Sequence, residues 1–148
     1  MYVGDKMKKY KIGYTTGVFD MFHIGHLNIL KRAKEQCEYL IVGVSTDELV
    51  MQYKGKTPVI NYDNRKAIVE AIRYVDMVIP QQTLNKLEAW NEWHFDAVFH
   101  GDDWKGSTMY NVVEDELRKV GCDMVFLPHT AGVSSTELCK IMYNHLNE

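Results

Sequence analysis

Five short apolar runs alternate with five segments of helical period, and this alternation limits the fold more than any other feature of the chain. Lys11 to Thr16, Tyr39 to Ser45, Met77 to Ile79, Ala97 to His100 and Met124 to Leu127 are short and strand-prone. The helical patterns run over Ile24 to Cys37, Tyr62 to Val75, Leu84 to Trp93, Met109 to Val120 and Ser135 to Leu146. In the second of these, Ile68, Val69, Ala71, Ile72 and Val75 recur at helical spacing. Strands separated by helices of about 10–15 residues build βαβ units, whose parallel sheet needs cover on both faces. Right-handed crossovers then predict an α/β fold, a doubly wound, Rossmann-like parallel sheet of about five strands with helices on both faces. No repeat or linker composition divides the 148 residues, so 1–148 is expected to be a single domain. Gln52 to Asn61, with Gly55 and Pro58, is expected to be the mobile loop.

Ligands of such sheets gather beyond the carboxyl ends of the strands. Gly17–His26, Ser45–Asp47, Gly101–Trp104 and His129–Thr136 all fall there. Residues 17–26 read Gly-Val-Phe-Asp-Met-Phe-His-Ile-Gly-His, a strand end, a glycine turn and a helix start. Unpaired N–H groups and the dipole at a helix start attract phosphate. Gly17, free to take φ > 0, would let an anion approach the backbone, or serve as a plain turn residue. His23 and His26 are three apart and share a helix face. They could ligate a metal or be satisfied core histidines, but no third ligand stands at a suitable spacing. Contact with an anion through ring N–H groups, charged when protonated, is the favoured reading. Ser134, Ser135 and Thr136 open the last helical pattern; one should cap it, leaving the others for a second phosphate cradle. Two cradles on one sheet edge suggest one polyphosphate held from both sides.

Charge sets the partner class. A net charge of −3, without a basic-aromatic stripe, argues against nucleic acid. Lys54, Lys56, Arg65 and Lys66 face Asp63 alone between Met51 and Lys66, a local positive field suited to a small anion. No apolar run approaches the ~20 residues that span a bilayer. The first residues lack a signal-peptide core, so a cytoplasmic location is expected. Cys37, Cys122 and Cys139 lack CxxC spacing and are expected to be reduced, structural thiols.

Gly-x-Phe-Asp-x-x-His-x-Gly-His, with the distal Gly-Val-Ser-Ser-Thr of 132–136, resembles the nucleotidyltransferase superfamily of cytidylyltransferases and several adenylyltransferases. Ser45-Thr46-Asp47-Glu48, Arg73-Tyr74-Val75-Asp76 with Val78-Ile79-Pro80, and Gly101-Asp102-Asp103-Trp104 are similar to the glycerol-3-phosphate cytidylyltransferases. That resemblance runs along nearly the whole chain. It implies transfer of CMP from CTP to a phosphorylated alcohol, glycerol 3-phosphate first, giving CDP-glycerol and pyrophosphate. Other polyol phosphates, phosphocholine and phosphoethanolamine stay open as acceptors, and Trp90, Trp93 and Trp104 leave room for a quaternary-ammonium cage. An adenylyltransferase of the superfamily and a non-catalytic nucleotide-binding module are the rival readings.

Residue roles follow from the same resemblance. His23, His26 and Ser134 would be catalytic. Val18 and Phe19 would set backbone against the nucleotide beside Gly25, with Asp20 either joining them or capping the helix. Lys56 would meet the CTP phosphates and Lys54 the acceptor. Lys86 matches an acceptor-binding lysine, with a plain surface residue as its alternative. Arg73 would serve the nucleotide site or a dimer contact, the resemblance implying a homodimer. Asp103 would shape the nucleotide end of the cleft. His129, Thr130, Gly132, Ser135 and Thr136 would form the second cradle. Magnesium is implied as a passenger on the CTP phosphates, with no protein residue assigned to metal. His129 stands where the family commonly has arginine, and Ala131 where an acidic residue is frequent. Histidine is half-protonated only near pH ~6.5, so a weaker or more pH-dependent hold on the phosphates is expected.

Overall fold

The computed structural model describes residues 7–102, 108–130 and 134–147. Asp103, Trp104, Ala131 and Gly132 therefore lie outside the described residues. In chain order come β1 (Tyr10–Gly17), α1 (Ile24–Gln36), β2 (Cys37–Ser45), α2 (Asp47–Lys54) and α3 (Tyr62–Glu70). They are followed by β3 (Met77–Gln81), α4 (Lys86–Trp93), β4 (Ala97–Gly101), α5 (Thr108–Lys119), β5 (Asp123–Leu127) and α6 (Ser135–Leu146). The five strands are all parallel and ordered β3-β2-β1-β4-β5. This is the doubly wound sheet that the alternation predicts.

Strand periodicity splits the core. Leu40, Val42 and Val44 of β2, with Ala97 and Phe99 of β4, pack under Leu30 and Ala33 of α1 and Val69 of α3. The alternate residues Ile41 and Val98, with Tyr14, meet Phe95, Leu117 and the side chains of Leu87, Trp90 and Trp93. Helices thus cover both faces. The order reverses at β1 and β4, and Thr15 Oγ1 donates to Phe99 O (2.9 Å) across that reversal. Such switch points open a crevice at the carboxyl ends of the strands.

Of the expected boundaries that move, three have a clear physical reason. Cys37 opens β2 instead of closing α1. The helix expected to reach Val75 ends at Glu70; tighter three-residue bonds follow, Ile72 N to Val69 O (3.1 Å) and Val75 N to Ile72 O (3.0 Å). Ile72 and Val75 still pack on the core, because a spacing of three serves both geometries. Helix α2 matches none of the five helical patterns and runs into the start of the expected loop, Gln52 to Lys54. Thr46 caps it by accepting Leu49 N (3.1 Å), and Gly55 at φ 72° closes it in the left-handed conformation that glycine tolerates. Eight largely polar residues with two buried ones, Leu49 and Val50, gave too weak a period to stand out.

Candidate active site

The carboxyl ends of β1 and β4 open into a cavity of about 1030 Å³ lined by 17–20, 23, 25, 26, 54, 56, 100, 129, 130 and 134–136, among others. Its floor is the turn after β1. Positive φ falls on Phe19 (53°) and Met21 (49°), and Gly17 is not among the left-handed residues. The freedom expected of Gly17 is therefore unused; a Cβ there would instead stand 3.0 Å from the Phe19 ring. Phe19 is buried, so its ring pins the turn to the core. Two non-glycine residues held at φ > 0 cost of order 1–3 kcal/mol each and persist only where the surroundings over-determine them.

His23 is the N-cap of α1. Its Nδ1 accepts Gly25 N (3.0 Å), and His26 Nδ1 accepts His23 N (3.1 Å), a reciprocal capping box built from two imidazoles. The rings stack with centroids 3.9 Å apart. Because each Nδ1 is an acceptor, the proton of each neutral ring sits on Nε2, the nitrogen left for the cavity. Burial lowers the pKa of His23. Burial, then the neighbouring His23, lowers that of His26 to about 4, against an opposing pull from Asp20. To an anion in the cavity the pair would offer two neutral donors, not the imidazolium ions that free histidines could become. Gly25 is buried against His23, and a Cβ there would lie 2.8 Å from Cε1 of that ring. Gly25→Ala should tilt His23 out of line and lower turnover about 10- to 100-fold with a modest change in melting temperature, which steady-state rates beside thermal unfolding would check.

The opposite wall comes from β5 and α6. Ser134 Oγ caps α6 by accepting Glu137 N (3.0 Å). Ser135 Oγ donates to Asp20 O (2.6 Å), tying the start of α6 to the β1 turn. Two of the three hydroxyls are thus engaged within the protein, and the Ser135 proton is directed at a carbonyl. Thr136 and Thr130 also line the cavity, with Thr130 Oγ1 accepting Asn28 Nδ2 (2.8 Å). His129 reaches the cavity with its Nδ1 2.8 Å from Asp102 Oδ1, and that hydrogen bond holds the Asp102 carboxyl below its usual range. Lys140, Tyr143 and Asn144 continue the wall along one face of α6, which was not foreseen.

Asp20 is neither a helix cap nor turned to the cavity alone. Its two carboxylate oxygens accept Val59 N (2.7 Å) and Ile60 N (2.9 Å). Lys54 ends α2 and Lys56 follows the Gly55 cap, both on the cavity wall. Burial and then Lys56 lower the pKa of Lys54. The segment expected to be mobile is therefore fastened. Its second fastening is Arg65, 1% exposed, which the sequence showed only as part of a basic run. Arg65 shares a helix face with buried Val69, and a cation on the apolar stripe was the signal available.

Lys86, at the start of α4, is 6% exposed, which removes the surface alternative. Its Nζ donates to Thr16 Oγ1 (2.6 Å) at the mouth of β1, and burial lowers its pKa to about 8. His100 lies close by; burial and then the Lys86 charge depress its pKa to about 3. Arg73 is not brought to the cavity. It lies past α3, exposed, with its guanidinium 3.3 Å from the Tyr74 hydroxyl. Trp90 and Trp93 pack into the core on the α4–α5 face, Trp90 Nε1 donating to Phe95 O (3.1 Å), so neither can frame a cationic headgroup in the cavity. Cys37 and Cys122 are buried thiols whose pKa burial raises to about 11 and about 12, whereas Cys139 is exposed on the cavity rim. No group of three His, Cys, Asp or Glu side chains that could hold a metal is present among the described residues.

Residues 14–141 match the family described as cytidylyltransferase-like. The glycerol-3-phosphate cytidylyltransferase of Bacillus subtilis (strain 168) is 40% identical over 125 residues, 84% of this chain and 91% of that one. The Staphylococcus aureus enzyme of that name is 38% identical over 130 residues, 87% of this chain and 92% of that one. The ethanolamine-phosphate cytidylyltransferase of Mus musculus is 37% identical over 127 residues, 82% of this chain but 30% of the mouse protein. Among solved structures, a lipopolysaccharide core biosynthesis protein from Thermoplasma volcanium superposes with a TM-score of 0.68 at 25% identity, covering 82% of this chain and 97% of that one.

Proposed function

We propose, from the premise that the chain belongs to the cytidylyltransferase-like family, that it transfers CMP from CTP to glycerol 3-phosphate, giving CDP-glycerol and pyrophosphate. The reported sequence relatives are named cytidylyltransferases, and the observation that carries the reading is the histidine pair on a turn facing a cavity walled by three lysines' worth of positive charge, Lys54, Lys56 and Lys140. A phosphate oxygen of the acceptor attacks the α-phosphorus of CTP. One P–O bond forms as the bond to the β-phosphate oxygen breaks, and pyrophosphate leaves with the electron pair. The acceptor's second phosphate pKa is ~6, so it arrives as a dianion and needs no general base. Catalysis is then the alignment of two anions and the stabilisation of charge on the equatorial and leaving oxygens. His23 and His26 supply fixed, neutral Nε2–H donors for that charge. Lys56 draws the triphosphate and Lys54 the acceptor phosphate. Lys86 does not line the cavity itself, but its Nζ donates to the cavity-lining Thr16, and its charge bears on the acceptor through that hydroxyl.

Magnesium enters as part of the substrate, on the triphosphate of CTP, since the donors of this site are N–H and ammonium groups that suit phosphate oxygen. The fold of Trp90 and Trp93 into the core favours a polyol phosphate over phosphocholine. Arg73, exposed beside the edge strand β3, favours a homodimer contact over a nucleotide contact. Pyrophosphate release from CTP or ATP with each phosphorylated alcohol is the deciding assay. The expected result is turnover with CTP and glycerol 3-phosphate; preference for ATP, or for phosphocholine, would replace the reading.

A further inference from the structure

The Arg65 guanidinium makes four hydrogen bonds, to Ile60, Val18, Ser45 and Asp47, which belong to separate segments around the cavity. Nε donates to Ile60 O (2.8 Å), and Nη1 to both Val18 O (2.7 Å) and Ser45 O (2.8 Å). Nη2 meets Asp47 Oδ1 at 2.6 Å. The other Asp47 oxygen accepts Tyr62 N (3.2 Å), so the carboxylate also anchors the helix that carries Arg65. The guanidinium lies over the Tyr62 ring, 5.8 Å from its centroid. Arg65 does not line the cavity, and of these partners only Val18 does. Val18 O belongs to the turn immediately before the left-handed Phe19, and Ile60 O to the segment that follows Lys54 and Lys56.

We infer that Arg65 is a positioning residue that sets the lysine-bearing segment 54–61 in register with the β1 turn, so that Lys56 and the histidine pair address the same phosphates. Asp20 works in the reverse direction, from the turn to Val59 N and Ile60 N. The two residues fasten turn and segment by donors on one side and acceptors on the other. Only a planar fork can serve three carbonyls and a carboxylate at once; a lysine ammonium has three donors and no plane. A buried ion pair alone is weak grounds for a stabilising role. Here one carbonyl it gathers, that of Val18, belongs to the cavity turn and another, that of Ile60, adjoins the cavity-lining Val59, and displacement by about 1 Å can cost 10²-fold in rate. This inference rests on the phosphate-transfer reading above.

Arg65→Lys in the full chain keeps the charge and loses the fork. Its kcat/KM for CTP should fall about 10²-fold with the circular-dichroism spectrum retained. The distinguishing readout is coupling to a residue that Arg65 does not touch. Lys56→Ala should weaken CTP use about 10- to 50-fold in the wild type and under about 3-fold beside Arg65→Lys, since a lysine already out of register has little to lose. Asp47→Asn, whose side chain is 35% exposed, provides the second variant, with a loss of about 10-fold and the same shrinkage of the Lys56→Ala effect. If Arg65→Lys does not fold, Asp47→Asn decides by those ratios. An Arg65→Lys enzyme within about two-fold of wild type, or an unchanged Lys56→Ala penalty in either background, overturns the inference. If the wild type releases no pyrophosphate from any nucleotide, the function reading fails on its own, and the same ratios are read from the affinity for inorganic triphosphate.

Discussion

His26→Ala should lower kcat about 10²–10³-fold while leaving KM for CTP within several-fold of its starting value. On the proposed mechanism the alanine removes one of two fixed donors to transition-state charge, and such donors contribute about 3–4 kcal/mol each. The second half of the capping box goes with it, so stability should fall by about 1 kcal/mol, too little to explain the rate. His23 and His26 act as one stacked unit. The double variant should therefore cost far less than the product of the two single losses. A drop in kcat below about 10-fold, measured at saturating CTP and acceptor, would remove the pair from the chemical step. The pH dependence follows in sign. The folded pKa of His26 is lowered to about 4 from the ordinary 6.5. The unfolded chain therefore binds the extra proton between those values, and His26 withdraws stability as pH falls through that window. Above it the ring is neutral in both states, and the donor is intact. Unfolding followed from neutral pH to pH ~4 should show wild type losing stability faster than His26→Ala.

Lys86→Met is the second large effect, and it should separate function from stability. An ammonium group at 6% exposure whose described hydrogen bond is to a neutral hydroxyl is a poor element of a hydrophobic interior. A thioether of similar length should fill the space and raise stability by about 1–2 kcal/mol. On the proposed reading the same change also removes a positive charge that favours the acceptor phosphate by about 2–3 kcal/mol, so kcat/KM for the phosphorylated alcohol should fall ~10²-fold with little change in KM for CTP. In the wild type that parameter should also decline as pH rises through about 8, where Lys86 loses its proton. The stability term has the opposite sense. The unfolded lysine keeps its proton up to about 10.5, so wild-type stability gains from Lys86 as pH rises from about 8, a slope absent from the methionine variant. A variant that is more stable but fully active would show Lys86 to be a packing residue.

Sheet type and the gathering of the histidine pair and the α6 start at one sheet edge were legible because each rests on a local signal. Period identifies the strands and helices, and a strand, glycine turn and helix start need only adjacent residues. What escaped depends on distance. Arg65 gathers oxygens from residues 18, 45, 47 and 60, and no window along the chain contains that convergence. Asp20 looked like a cap because it precedes a helix by a few residues, but its acceptors meet amides about forty positions on. Lys86 opens a short helix, and sequence alone does not say that the helix start is roofed over. Arg73 follows from resemblance, and a single chain gives it no route to the cavity. Gly17 shows a subtler gap: the turn does need left-handed residues, but fixes them at Phe19 and Met21 by holding the neighbouring carbonyls of Val18 and Asp20.

The uncharged state of the two imidazoles divides the labour of the cavity by range. A neutral N–H group acts at contact and is indifferent to dissolved ions, whereas the ammonium groups of Lys54 and Lys56 act across a distance that shrinks with ionic strength, to about 8 Å at 0.15 M. Added salt then slows the arrival of nucleotide without touching the step that follows. Capture and chemistry answer to different solution variables, and a cell whose ionic composition drifts would see the enzyme's demand for substrate change before its speed does.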